Sequence, residues 1–563
     1  MRRLLVFVCG AGLMAAAQAR DSDSVLPPVS ISVDLAKPVG AYTPIYAWFG
    51  YDESNYTTMP HGKQLLDELH DLSPVPVYIR AHHLLTSGNG VPELKWSSSN
   101  VFSLDAEGKP VYDFTITDQT FDEYQKAGVR PMVELGFMPK DLAAAVPGIK
   151  EYQLHYPQPT MGGASNNPPR DYRMWGDLVR TYVAHLVKRY GRERVSTWYF
   201  EVWNEPDISY WHGTEQEYFK LYDYAVAGVG AALPGAKVGG PASTGPGSAK
   251  SQAFLERFLD HCVHDKSAAD GKPVPLDFIS FHPKGRPSLV DGHVRMGIAN
   301  ELQAAQAGFR IVAKYPRFAR LPIILSEADP EGCAACSMKE NPANAYRNGP
   351  LYASYTATAM KALFELQDEA KVNLIAMLSW SFEFEGKDYF EGFRTLATNG
   401  IDKPVLNFFR MAGMMHGERV AATSTGRVAV DDLVSSGVRG APDVDAMATK
   451  AEHEAAVMVW NYHDDDVAAP DAEVEVSVAG IPPGVNRVLV EQYRIDEAHG
   501  NAYAVWKSMG SPQSPTPEQY TRLKSAGRLE QLNSPAWLDV RQGKLAIDTA
   551  LPRQAVELIR LNW

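Results

Sequence analysis

The 563-residue chain is poor in cysteine, with four in all, and one of these, Cys9, lies among the first nineteen residues. Past that point no stretch is long and apolar enough to span a bilayer, which takes roughly 20 residues. Positive charge is not in surplus either. Lys and Arg number 54 against 67 Asp and Glu, a formal net charge of −13, which argues against nucleic acid or an anionic membrane as the main partner. No G-x-G-x-x-G opens a helix, so a dinucleotide-binding sheet lacks its fingerprint. The motifs contain no metal-ligand cluster and imply no cofactor. Cys333-Ala334-Ala335-Cys336 has the C-x-x-C spacing, but a zinc site would need two more ligands nearby, and thioredoxin-like context is missing. Internal repeats and low-complexity runs are absent. With 45% hydrophobic and 21% charged residues, the chain is neither disordered nor fibrous.

What is present begins with a leader pattern. Arg2 and Arg3 precede the apolar stretches Leu4 to Val8 and Gly10 to Ala17, and Ala17-Gln18-Ala19 fits a small-x-small cleavage site. We expect residues 1–19 to be a secretory signal peptide and the mature chain to be periplasmic or secreted. Cys262, Cys333 and Cys336 then remain, and export favours a local disulfide between the last two.

From about Pro44 to Phe382 short apolar runs alternate with amphipathic stretches. Eight runs read as strands: Ile45–Phe49, Val75–Ile79, Pro131–Leu135, Thr197–Trp203, Lys237–Gly239, Asp277–Phe281, Pro322–Ser326 and Leu374–Ser381. Helix-period segments lie between most of them. The clearest is Asp171–Tyr190, with Trp175, Leu178, Val179, Tyr182, Leu186 and Tyr190 on one side. Eight such units predict an α/β fold, a (β/α)8 TIM barrel over residues 44–414. From 415 to 563 the pattern changes to strands at Val420–Thr425, Ala456–Tyr462, Ala472–Val478, Val488–Tyr493 and Ala555–Leu561, with one helix at Thr516–Leu532. This predicts an accessory antiparallel β-sandwich, which the alternating Val29–Leu35 of the 20–43 segment is expected to join.

Catalytic groups of a barrel sit at the C-terminal ends of its strands. Glu205 follows the fourth expected strand, in Trp203-Asn204-Glu205-Pro206, and Glu327 ends the seventh, in Ser326-Glu327-Ala328-Asp329. Strands four and seven lie nearly opposite across a barrel mouth, so both carboxylates can converge on one group. Glycoside hydrolysis needs such a pair. Glu201, four residues before Glu205 on the same strand face, is about 13 Å from it and reads as a buried structural acid. Asp329 competes with Glu327 but falls beyond the strand end. His82 and His83 are adjacent, so at most one faces the centre. Arg80 shares the direction of His82 and either orients Glu327 or pairs with another acid. Trp380, at the end of the eighth strand, reads either as a sugar platform or as core.

The string Trp198 to Asp207, together with Glu217 to Tyr222, Val238-Gly239-Gly240-Pro241, Ile79-Arg80-Ala81-His82, Leu135 to Pro139 and Asp277 to His282, resembles glycoside hydrolase family 39. That family contains β-xylosidases and α-L-iduronidases. The resemblance implies that Glu205 is the proton donor and general acid-base and Glu327 the nucleophile of a retaining mechanism. It implies that Asn204 bonds the sugar 2-hydroxyl and that His82 and His282 contact the sugar. Glu385 is a weaker candidate for a hydroxyl contact, because the loop around it matches the xylosidase pattern poorly. His282-Pro283-Lys284-Gly285 is more similar to the iduronidase branch. There Lys284 would help to hold a substrate carboxylate, and Arg394 would match a second base for it. The competing reading makes both of them surface or ion-paired residues, in a pocket for a neutral pentose.

The resemblance therefore implies a retaining exo-glycosidase acting on xylo-oligosaccharides. The alternative is an α-L-iduronidase-like hydrolase of uronate-containing glycans. A non-catalytic carbohydrate-binding barrel is disfavoured by the intact carboxylate pair.

Overall fold

The computed structural model describes residues 28–149, 152 and 163–563. The expected leader at 1–19 lies outside the described residues. Eight parallel strands form the centre: β1 (Trp48–Tyr51), β2 (Tyr78–Ala81), β3 (Arg130–Leu135), β4 (Tyr199–Val202), β5 (Lys237–Thr244), β6 (Phe278–His282), β7 (Pro322–Leu325) and β8 (Asn373–Met377, continued by Ser379–Trp380). Each pairs with the next, and β8 closes the ring. Its first part pairs with β7 and its last two residues pair with β1. Helices follow most strands, so this is a (β/α)8 barrel, and the apolar strand runs reflect burial on both faces.

Two strands start three residues later than the apolar runs predict. The ladder of β1 begins at Trp48 because the preceding residues are engaged in a turn, with the Ala47 N–H donating to the Pro44 carbonyl. That of β2 begins at Tyr78, after Pro74 and Pro76, whose missing N–H groups cannot join a ladder. The delay carries Asp52, Arg80 and His82 to the C-terminal mouth. The helix Tyr172–Tyr190 forms as its pattern predicts. The Asp171 carboxylate accepts the N–H groups of Arg173 and Met174 at its start. Trp175, Leu178, Val179, Tyr182 and Leu186 are buried against the barrel, while Tyr190 is half-buried.

The β-rich tail builds a second sheet of ten strands. Val29–Ala41 enters it as expected, antiparallel to Glu418–Ser424 and parallel to Ala472–Ala479. Ile31, Val33 and Leu35 are buried and alternate with exposed Ser30, Ser32 and Asp34. They share one core with Val457, Val459, Val474, Val476 and Ile559. Strands distant in the sheet order thus meet across that core, in a sandwich. The strand Glu454–Tyr462 is apolar on both faces. Ala455, Val457 and Val459 enter the sandwich core, while Ala456, Met458 and Trp460 join the apolar cluster of the barrel.

The tail also contains strands that the sequence reading missed, including Asp443–Lys450 and Lys544–Leu551. The expected helix Thr516–Leu532 is shorter, Pro517–Ala526, with Thr516 as its cap and a short strand at Glu530–Gln531 beyond it. Between sandwich strands, Trp506 and Leu523 from two short helices pack on Phe390 and Ile401 of the loop that follows β8. Among the described residues no helix is long and apolar enough to cross a membrane.

Candidate active site

The interior of the barrel at its C-terminal end is filled by charge. Arg80, the third residue of β2, is fully buried. Its guanidinium stands 2.8 Å from Glu134 of β3, 2.5 Å from Glu201 of β4 and 3.1 Å from Glu327, and it donates to Asn204 Oδ1 at 3.0 Å. Isolated, each of these charges would be costly to bury; together they compensate one another. The bond to Arg80 fixes the Asn204 amide, leaving its NH₂ as the end that can donate. Glu134 escaped the sequence reading. Its signal was an acid inside an otherwise apolar strand, which has to find a partner there.

Glu205 lies just past β4, where the backbone turns sharply. Trp203 and Glu205 have φ of 72° and 43°, a left-handed conformation that costs non-glycine residues about 1–3 kcal/mol each and gathers at functional sites. The Glu205 N–H is held by the Ala242 carbonyl at 2.7 Å, and a carboxylate oxygen lies 3.0 Å from His282 Nδ1. Glu327 sits two residues past the end of β7. One of its oxygens faces Arg80, and Lys284 donates to the other at 2.8 Å. One carboxylate oxygen from each of Glu205 and Glu327 and a ring nitrogen of His282 lie within 4.8 Å of one another. This spacing would also suit a cation, but Arg80 and Lys284 already bring positive charge to Glu327.

The two carboxyl groups are driven apart in acidity. Burial, then the negative charge of Glu327, raises Glu205 to about 7, against the pull of Lys284. Burial also opposes the charge on Glu327, but Lys284, a bond from His82 and Arg80 outweigh it and hold the group well below the usual carboxylate range. Near neutrality one group keeps its proton and the other is an anion. His282 is pushed down to about 3 by burial, and further by Arg80 and Lys284 against the opposing pull of Glu327. It is therefore a neutral ring between Glu205 and the Ser326 hydroxyl, 3.0 Å from Nε2. A hydroxyl can donate or accept, so the ring can change tautomer as Glu205 gains or loses its proton. Burial works against charge on His82, but Glu134 raises it to about 10.

The remaining candidates divide. His82 bonds Glu134 through Nδ1, and its Nε2 faces Asp52 at 3.2 Å and Glu327 at 3.5 Å. His83 bonds Thr86 and lines the cavity beside His82. Trp380 packs 4.3 Å from the His82 ring and beneath the Arg80 guanidinium, and is 2% exposed. Asp329 is fully engaged, accepting the Trp380 N–H at 2.8 Å and facing Lys284 at 2.5 Å and Arg394 at 3.3 Å. Arg394 is buried behind it. It also pairs with Glu331 at 2.7 Å and donates to the Trp380 carbonyl. Glu385 is not brought to the pair; it accepts the His61 N–H at the start of the helix Pro60–His70. Cys333 and Cys336 form a disulfide, and Cys262 is buried.

Beside His82 a cavity of about 130 Å³ opens, lined by Asp52, His82, Trp96, Phe137, Tyr210 and the disulfide loop from Gly332 to Ala335, among others.

The chain as a whole is similar to known proteins. A β-xylosidase of Geobacillus stearothermophilus is 27% identical over 466 residues, covering 80% of this chain and 79% of its own. The α-L-iduronidase of Homo sapiens is 28% identical over 385 residues, covering 62% of this chain and 54% of its own. The crystal structure of a monomeric β-xylosidase from Caulobacter crescentus has the same fold, with a TM-score of 0.72 at 22% identity over 95% of this chain and 99% of that one. The family model for glycosyl hydrolases family 39 matches residues 77–536. With most of its length inside that match, including the barrel ends that bear Glu205 and Glu327, the chain belongs to glycosyl hydrolases family 39.

Proposed function

We propose that the protein is an exo-acting β-xylosidase that releases xylose from xylo-oligosaccharides with retention of configuration. The carrying observation is the Glu205–Glu327 pair, close together and opposite in protonation. Retaining enzymes hold their carboxyl groups about 5–5.5 Å apart, whereas inverting ones leave about 6.5–9.5 Å for a water.

In the first step an oxygen of ionised Glu327 attacks the anomeric carbon. The bond to the leaving oxygen breaks, and that oxygen takes the proton of Glu205. Arg80 and Lys284 hold the attacking carboxylate in place and ionised. Once the sugar ester has formed, the negative charge that helped to raise Glu205 is gone; its pKa falls, so Glu205, having given up its proton, stays ionised and is free to accept one from water. In the second step Glu205 takes a proton from water, the hydroxyl adds to the anomeric carbon, and Glu327 leaves as carboxylate. Two inversions give retention.

A neutral pentose is favoured over a uronate because the two candidate carboxylate-binding cations already face carboxylates of the protein. Lys284 meets Glu327 and Asp329, and Arg394 meets Asp329 and Glu331. The match to the Geobacillus stearothermophilus β-xylosidase covers 80% of this chain against 62% for the Homo sapiens α-L-iduronidase, which supports the same choice. Export is part of the reading, supported by the leader pattern and by the Cys333–Cys336 disulfide.

The test is a panel of aryl β-xyloside, α-L-arabinoside, α-L-iduronide and β-glucoside, with the first-released anomer read by proton NMR. The β-xyloside should be hydrolysed fastest and give β-xylose first. Faster cleavage of the iduronide would transfer the assignment to the uronate reading, and α-xylose released first would remove the retaining mechanism.

A further inference from the structure

The tip of β1 carries two adjacent acids with different surroundings. Glu53 is buried, and its Oε1 accepts the Lys95 N–H at 2.7 Å, which anchors the segment bearing Trp96 in the cavity wall. Asp52 points the other way. Its Oδ1 lies 3.2 Å from His82 Nε2, its side chain is 22% exposed, and it lines the cavity. The same His82 nitrogen stands 3.5 Å from Glu327 Oε1. One imidazole edge therefore separates Asp52 from the carboxylate that attacks the anomeric carbon. Glu327 does not itself line the cavity but meets its wall at His82, so a sugar seated on Glu327 and extending past His82 into the cavity would pass Asp52. Among the described residues lining that cavity, Asp52 is the sole carboxylate.

We infer that Asp52 is a substrate-binding residue that sets sugar specificity, its carboxylate accepting hydroxyl protons from the non-reducing sugar and disfavouring a sugar with a carboxylate of its own. The inference rests on the glycosidase reading above and names a determinant within that site. An ionised carboxylate only accepts, and sugar hydroxyls can supply the donors in short, charge-assisted bonds. His82, bonded to Glu134 behind it, fixes the direction in which Asp52 points. A uronate brought to the same place would set like charges face to face, which is the usual way a site rejects a wrong partner.

The experiment uses the full-length protein and two variants, Asp52→Asn and Asp52→Ala. Inhibition constants for free xylose and free glucuronate are measured against an aryl β-xyloside, with kcat and KM for that substrate. Circular dichroism and the unfolding midpoint confirm that each variant is folded. Asp52→Ala should weaken xylose binding about 10- to 100-fold and should raise KM more than it lowers kcat. Asp52→Asn, which keeps an oxygen toward His82, should lose less. In both variants the preference for xylose over glucuronate should fall. An unchanged xylose constant with an unchanged preference would overturn the inference. A fall in kcat alone would also overturn it, because a residue acting only through His82 moves turnover without moving the preference. Failure of the underlying reading looks different: the unaltered protein would neither cleave the xyloside nor bind xylose.

Discussion

At the scale of single residues the account depends on charges set against one another. Glu205 must hold a proton to protonate the leaving oxygen, so activity should fall as pH rises through about 7. Glu327 must be ionised to attack, so the acid limb should lie well below the ordinary carboxylate value. Lys284 lowers both groups. Lys284→Met should therefore move both limbs of the pH–kcat/KM profile to higher pH and cut the maximum by about 10². A profile that keeps its position would mean that Lys284 does not face the pair in solution. Loss of activity on xylosides also separates this lysine from one that serves only a substrate carboxylate. Glu205 and Glu327 were legible in the sequence because strand ends and paired carboxylates leave a pattern. The partners of Lys284 and Arg394 were not. Each reaches, from the loop of another strand, acids of the segment that follows β7, and no local spacing records such a meeting. Asp52 was missed for another reason: the apolar run suggested that β1 ended at Phe49, and the ladder continues to Tyr51.

At the scale of elements, the short strand β1 does two things at once. It closes the barrel against β8, and it admits the Trp380 ring that supports His82 and Arg80. Gly50 permits this. A Cβ at that position would lie 2.4 Å from two ring carbons of Trp380 and 2.9 Å from the Arg80 carbonyl. Gly50→Ala should cost about 1–3 kcal/mol through overpacking, seen as a lower unfolding midpoint. It should also reduce kcat/KM, since the displaced ring presses on His82. An unchanged midpoint with unchanged activity would contradict this packing. The barrel itself was readable as eight apolar runs separated by helix-period segments. Strand ends shifted where turns and prolines compete with the ladder. In the tail, Asp443–Lys450 is buried along nearly its whole length without a period, so tertiary pairing, not local pattern, makes it a strand. Lys544–Leu551 does alternate, with Leu545, Ile547, Thr549 and Leu551 buried, a pattern that the sequence reading overlooked.

At the scale of the whole molecule, the barrel and the sandwich are joined through apolar surface and through charge. Met458 and Trp460 belong to the barrel's cluster, and Arg295 meets Asp465 at 2.5 Å. The short helices of the tail reach further and pack on Phe390 of the loop that follows β8, the loop that also carries Arg394. Trp506→Ala should loosen that contact. Burial of this size is worth about 3–5 kcal/mol, but a protein of two bodies need not unfold in one step. The expected signature is therefore faster proteolytic cleavage within residues 382–402 together with a lower unfolding midpoint. Cleavage at the same rate as in the unaltered protein would show that the helices do not brace this loop. The central claim concerns the two carboxylates that all of this positions, and it is tested most directly by trapping the covalent intermediate. The protein is incubated with an activated 2-deoxy-2-fluoro-β-xyloside, digested and mapped by mass spectrometry. The account predicts one fluoroxylosyl ester, on Glu327, formed as activity is lost. A label on Glu205 or Asp329, or continued turnover with an inverted product and no label, would contradict it.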